Sequence, residues 1–415
     1  MKEEVVNYKL LAIILITLTE AFELFKDLLI YRSRNNALPE NVRDVYDEER
    51  YKVWRNYEAD KVFVSIFSGA FGYIVSLLLL IFDVYALVGE PLGTGLLSSV
   101  VVTIFDVLAG TLAGLFFDFY NTMKVEARYG FNRTSLKTFI VDKVKETIIG
   151  LVVSVLLTVV FFLLYKWLGD FVIIAFAAVF FGFVLLISFC YPYFSRIFNK
   201  FSPLPEGELK TKLTEMLEGH GYKVREISIM DASKRSTKAN AYFAGFGKTK
   251  TVVLYDTLLD TLTTEEICAV FAHEMGHGLH RDTLKNQLIS IVNTIIIALS
   301  VWLCAKCSFI YGDFGFSAVN YGFGIIIATE VLVSFISPIL GLFTNFMSRR
   351  AEYLADNTAK EEGYGEALAS ALKKLAGSDF DNLAPSPLIV KLCYSHPTIS
   401  QRIDNLKDCG NGEKQ

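Results

Sequence analysis

Only five histidines occur in the 415 residues, and three of them, His273, His277 and His280, fall within eight positions. The first two belong to His273-Glu274-Met275-Gly276-His277, an HExxH sequence late in a segment that reads as a helix from about Thr264, opened by a capping box from Thr263 to Glu266. Four-residue spacing puts both imidazoles on one helical face, so they can meet at one ion. Glu274 lies about 100° further round, beside that ion rather than on it. Zinc takes nitrogen or carboxylate ligands in a tetrahedral arrangement, and its catalytic sites keep one position open for water. A carboxylate next to such a water can remove its proton and later deliver one to a leaving amine. The five residues thus supply two ligands and a general base. HExxH also arises by chance on amphipathic helices, so the reading turns on a third ligand.

A metzincin pattern would place a histidine ten residues after the first, but position 283 is Thr, and His280 sits one turn beyond His277 and points past the site. The best remaining candidate is in Ser348-Arg349-Arg350-Ala351-Glu352-Tyr353-Leu354-Ala355-Asp356. Glu352 and Asp356 share a helical face there, directly after a long apolar run. Glu352 would be the third ligand, and Asp356 would hydrogen-bond the far nitrogen of a ligand histidine and fix its tautomer. Further on, in Tyr394-Ser395-His396-Pro397-Thr398-Ile399-Ser400-Gln401-Arg402-Ile403, His396 reads as a turn residue and Arg402 as part of the following helix. Either could stabilise the negative charge that builds on a substrate carbonyl oxygen.

These groups need elements to hold them. Residues 206–220 read as an amphipathic helix and Val224–Met230 as a strand. Asn240-Ala241-Tyr242-Phe243-Ala244-Gly245 and Thr251–Tyr255 read as a strand pair around Gly247–Lys250, with the HExxH helix next. An extended substrate could add to such a sheet edge by main-chain hydrogen bonds, which makes Asn240, Ala241, Tyr242 and Phe243 candidate substrate-binding positions.

The rest of the chain is unusually apolar. Hydrophobic residues make up 53% of it, and Phe alone occurs 34 times. That is too apolar for an ordinary soluble enzyme of this size. A net charge of −4 gives no hint of nucleic-acid binding. Six scattered cysteines imply no disulfide framework, and the CxxC of Cys304 and Cys307 has no second copy. No cleavable signal peptide is in sight. Apolar runs at 10–30, 62–88, 96–119, 147–165, 171–194, 287–305 and 321–346 read as seven membrane spans. The fold class is therefore mostly α: a seven-helix transmembrane bundle carrying a small α+β zinc-metalloprotease domain. Residues 1–194 hold spans one to five with their loops, 195–286 the soluble α+β segment with HExxH, 287–346 spans six and seven, and 347–415 a helical segment with the third ligand. Lys and Arg crowd 31–61, 120–146, 195–286 and the stretch after 347, and are nearly absent from the alternate loops. By the positive-inside rule both halves of the zinc site then face the cytosol. Glu20, Glu23, Asp83, Asp106, Asp118 and Glu330 fall in the spans, where carboxylates either line a hydrated space or are paired.

Together HEMGH at 273–277, SRRAEYLAD at 348–356, SHPTISQRI at 395–403 and NAYFAGFGKTKTVVLYDTLL at 240–259 resemble the integral-membrane CAAX prenyl endopeptidases of type 1, and the span order matches as well. The resemblance implies one Zn2+ per chain on His273, His277 and Glu352, with Glu274 as catalytic base and Asp356 behind the ligands. It implies that His396 lies near the oxyanion, that Arg402 steadies the ligand carboxylate and that Asn240 holds substrate backbone. It also implies seven helices around a water-filled chamber and cleavage of prenylated C-terminal CAAX peptides, in the ER membrane of a eukaryote or the cytoplasmic membrane of a prokaryote. The expected partners are a peptide or protein substrate and the lipid bilayer. Two alternatives remain at this level: an HtpX-like membrane quality-control protease, and a seven-helix receptor or transporter with an incidental HExxH.

Overall fold

A helix crossing a bilayer satisfies its backbone hydrogen bonds internally and needs about 20 mostly apolar residues. The structure is a computed structural model that describes residues 7–244 and 249–407, with the side chains at 188–189, 191–194, 243–244 and 249 left outside the description. Five stretches in it are long and apolar enough to cross a membrane: Glu48–Ile81, Leu96–Glu126, Leu136–Ile187, Asp282–Lys306 and Tyr321–Glu361. The seven expected from sequence differ from these five at two places. Helix α1 (Tyr8–Ser33) has the length but carries Lys9, Glu20, Glu23, Lys26, Asp27 and Arg32. The stretch Leu136–Ile187 is broken at Gly169, whose φ of 54° suits glycine, into α5 (Leu136–Leu168) and α6 (Val172–Phe198), which pack on each other. Between α1 and α5 lie α2 (Glu48–Ile81), the short α3 (Val84–Gly89) and α4 (Leu96–Tyr120).

Most of the carboxylates in these helices have partners. Asp83 meets Lys9 at 2.6 Å, Asp118 meets Lys143 at 2.8 Å, and Asp106 accepts the Tyr85 hydroxyl at 2.8 Å. Glu330 is exposed and sits in a π-helical turn, Ile327–Val333.

The chain then leaves the bundle for a four-stranded sheet of order β1-β2-β4-β3. Strand β1 (Phe201–Pro203) runs antiparallel to β2 (Lys223–Met230), with α7 (Glu208–Gly219) between them in sequence. β2 pairs in parallel with β4 (Thr249–Tyr255), and β3 (Ala241–Ala244) closes the sheet as an antiparallel edge strand, Ala241 opposite Leu254. After α8 (Asp256–Thr261) comes α9 (Thr264–Leu279), which carries HExxH. Its apolar residues Ile267, Phe271 and Met275 share a core with Leu213, Leu217, Leu254 and Leu258, so the sheet and α7 fix the rotation of the helix.

Arg281 follows α9 in the left-handed region, φ 58°, and turns the chain into α10 (Asp282–Lys306). The return path is α11 (Tyr321–Ile326), the π-helical turn and α12 (Ser334–Glu361). α12 crosses α9 at Gly276, where an added Cβ would lie 2.9 Å from the Ala355 Cα. The close crossing therefore depends on a glycine. The described residues end with α13 (Gly365–Asp379), α14 (Pro387–Cys393) and α15 (Ile399–Lys407).

The segment after α1 that looks aromatic and polar in sequence is an interface. Tyr46, Trp54 and Tyr57 are buried, and with Phe131 they surround Phe380, just past α13, or contact its backbone. The first part of the chain is thereby anchored to the part that holds the site.

Candidate metal centre and active site

The capping box expected at the start of α9 is present: Thr263 N–H donates to the Glu266 carboxylate at 2.8 Å and Glu266 N–H donates to the Thr263 hydroxyl at 3.3 Å. Glu266 is buried and also takes Lys374 at 2.6 Å and the Ser370 hydroxyl at 2.7 Å from α13. Burial alone would raise its pKa, but the Lys374 and other hydrogen bonds outweigh it and hold it down at about 2. The N-terminus of the helix is therefore tied to α13.

At the other end of α9, His273, His277 and Glu352 bring one ligand atom each to within 4.8 Å of one another. His273 Nε2 is 3.4 Å from Glu352 Oε2, and His277 Nε2 is 3.4 Å from Glu352 Oε1. Ligands about 2.0–2.1 Å from a tetrahedral zinc stand about 3.3 Å apart, so these spacings fit zinc. Glu352 Oε2 is also buried and accepts no hydrogen bond among the described residues; the Arg402 guanidinium stands 3.3 Å away without bonding it, which leaves the oxygen free to take a ligand cation.

Each imidazole is aimed by a carboxylate behind it. His273 Nδ1 lies 2.9 Å from Asp356 Oδ1, and His277 Nδ1 lies 3.0 Å from Asp282 Oδ2. With Nδ1–H donating to these carboxylates, both rings turn Nε2 toward Glu352. Asp282 is buried and is itself held by Lys285 at 2.7 Å. Sequence reasoning named Asp356 and missed Asp282. Burial opposes charge on His277, yet hydrogen bonds to Glu352 and Asp282 prevail and raise its pKa to about 9; His273 is raised against burial by Asp356 and Glu352. The surroundings strongly favour positive charge at this point.

Glu274 faces a cavity of about 310 Å³ together with both histidines, Glu352, His396 and Arg402. It forms no hydrogen bond or ion pair among the described residues and is only partly buried. His396 Nε2 is 3.2 Å from Glu352 Oε1, on a side chain 61% exposed, so it can turn toward a ligand in the cavity. Arg402 is buried and committed elsewhere, donating to Asp356 through Nε at 3.0 Å and Nη2 at 2.6 Å, with Nη1 3.3 Å from Glu352 Oε2. His280 bonds Thr358 at 3.1 Å, away from the ligand atoms.

The expected substrate strand divides in two. Asn240 and Ala241 line the cavity, and Asn240 is exposed. Tyr242 packs with Met230, Ala232 and Val253, as alternation along a strand requires. Phe243 pairs through its backbone with Val252, and its side chain lies outside the described residues. Leu258, Val270, Leu368, Leu372 and Leu375 form an apolar wall to the same cavity.

Two family models divide the chain between them. Residues 27–200 match "CAAX prenyl protease N-terminal, five membrane helices", and residues 203–409 match "Peptidase family M48". The chain belongs to peptidase family M48. Among its relatives, "CAAX prenyl protease 1" of Saccharomyces cerevisiae is 28% identical, with 92% of each chain covered. "CAAX prenyl protease 1 homolog" of Mus musculus is 27% identical over 94% of this chain and 93% of its own. The crystal structure of Ste24p from S. mikatae superposes with a TM-score of 0.89 at 26% identity, covering 97% of this chain and all of that one. This M48 chain is thus a membrane peptidase matched to its relatives over nearly their whole length.

Proposed function

We propose that this protein is a zinc-dependent endopeptidase that cleaves prenylated CAAX proteins near their C-termini, with its site at the cytosolic rim of seven membrane helices. The observation that carries the reading is the convergence of two imidazoles and a buried carboxylate at 3.4 Å spacings, with Glu352 Oε2 accepting no hydrogen bond among the described residues. His273, His277 and Glu352 would hold one zinc, which when bound supplies a Lewis acid that polarises a carbonyl and acidifies water. Asp356 and Asp282 keep both imidazoles oriented with Nε2 inward. Glu274 takes the proton of the attacking water and returns it to the departing amine, a role open to a carboxylate with no competing partner. His396 donates to the carbonyl oxygen as negative charge grows there. Arg402, occupied by Asp356 and Glu352, holds the carboxylates in register rather than meeting substrate.

Substrate backbone would lie along β3, the edge strand, with Asn240 and Ala241 at the cavity. The leucine and valine wall beside Glu274 suits an aliphatic side chain next to the scissile bond. The membrane helices would take a lipid group, consistent with the "CAAX prenyl protease" name that the relatives carry. Positive charge on the loops at the site's end favours the cytosolic side.

The test is cleavage of one CAAX peptide in farnesylated and unlipidated forms, with and without a zinc chelator. Chelator-sensitive cleavage that is faster for the farnesylated form is expected. Equal rates on both would remove the prenyl requirement, and chelator-resistant cleavage would remove the metal.

A further inference from the structure

Asn345, Arg349, Glu352 and Asp356 follow one another at i, i+4, i+7 and i+11 along α12 and so form one stripe. The lower half of the stripe builds the metal centre. The upper half grips a different element. The last carbonyls of a helix have no partner inside it; at the end of α14 Val390 O accepts the Tyr394 N–H at 3.3 Å, and α12 supplies further donors. Asn345 Nδ2 donates to Leu392 O at 3.1 Å, and Arg349 Nη1 donates to Val390 O at 3.0 Å and Tyr394 O at 2.6 Å. A cation at a helix C-terminus is also favoured by the helix dipole. Arg349 makes no ion pair among the described residues, so its guanidinium is committed to these carbonyls.

His396 lies two residues beyond Tyr394, followed by Pro397. Its side chain is largely exposed, and its Nδ1 meets only the neighbouring Ser395 hydroxyl at 2.9 Å. Packing does not hold the ring 3.2 Å from Glu352; the backbone leading into it must. That backbone is pinned by Arg349, less than one helical turn from Glu352.

We infer that Arg349 is a positioning residue for His396: by capping α14 it fixes the donor imidazole relative to the ligand carboxylate on the same helix. The inference rests on His396 being the donor to the carbonyl oxygen. A misplacement of about 1 Å costs on the order of 100-fold in rate.

The experiment is a double-mutant cycle on the full-length, zinc-loaded protein, read as kcat, KM and zinc per chain. His396→Ala should lower kcat about 100- to 1,000-fold, the size of losing one such donor. Arg349→Met should lower kcat about 10- to 100-fold, with KM within about twofold and zinc unchanged. The double variant should be no slower than His396→Ala alone, because Arg349 acts through that ring. Arg349→Lys, which keeps a donor and the charge, should recover part of the loss, and it carries the same cycle if Arg349→Met does not accumulate. Multiplying losses in the double variant, or parent kcat in the Arg349 variants, would overturn the inference while leaving His396 in its role. Parent kcat in His396→Ala would remove that role and the inference with it.

Discussion

Replacing Gly276 with Ala tests whether the helix crossing sets the metal geometry. The new methyl would stand 2.9 Å from the Ala355 Cα, 3.0 Å from the Thr358 Cβ and 3.1 Å from its Oγ1. Carbon atoms rest at about 3.5–4.0 Å, so α9 and α12 must part by about 0.5–1 Å. Both histidines ride on α9 and Glu352 rides on α12, so the 3.4 Å spacings must open by a similar amount. Zinc tolerates bond-length departures of only about 0.2 Å. Overpacking of this kind costs about 1–3 kcal/mol, which corresponds to a loss of about 5- to 150-fold if it is felt in zinc affinity. Ala is favoured over Gly inside a helix by about 1 kcal/mol, so thermal stability should fall less than zinc binding does. The assay is zinc competition against a chromophoric chelator beside a melting curve. Parent zinc affinity in Gly276→Ala would refute the reasoning.

Three other perturbations reach different parts of the site. Glu274→Gln should keep one zinc per chain and abolish cleavage, since the ligands stay and the base is lost; parent-rate cleavage would reassign the base. Asp282→Asn should weaken zinc about 10- to 100-fold by chelator competition, because His277 loses the acceptor at Nδ1; unchanged affinity would make Asp282 a bystander. Glu266 has its pKa lowered from 4.5 to about 2 in the folded chain, so its stabilising contribution is complete above about pH 4.5 and disappears as pH falls toward 2. Glu266→Gln should therefore lower the unfolding free energy near neutral pH by up to about 3 kcal/mol before solvent screening at the half-exposed Lys374 is allowed for, seen as a lower melting temperature, and the gap to the parent should close near pH 2–3. A gap independent of pH would contradict that linkage.

The candidate metal cluster of His273, His277 and Glu352 is largely legible in the sequence because its grammar is local. HExxH and the Glu352–Asp356 pair each lie within about one helical turn, and α9 begins at Thr264 as its capping box implies. Asp282 is not legible in this way. It reaches His277 only because Arg281 adopts a left-handed conformation, which a non-glycine residue does not advertise. The sheet shows the same division. The antiparallel β3–β4 pairing follows from alternation, whereas the parallel β2–β4 pairing and the three-residue β1 depend on contacts distant in sequence; the turn expected around Gly247–Lys250 falls largely outside the described residues. The membrane helices are legible as apolar runs, but α1 carries six charged side chains, which blurs its membership of the bundle. The role of Arg349 is invisible in sequence, since the carbonyls that it meets are 41 and 45 residues away.

The most direct measurement is anomalous diffraction at the zinc absorption edge from crystals of the active protein. The account predicts a single strong peak per chain within bonding distance of His273 Nε2, His277 Nε2 and the Glu352 carboxylate. A peak elsewhere, or an active protein with no peak among these three side chains, would contradict it.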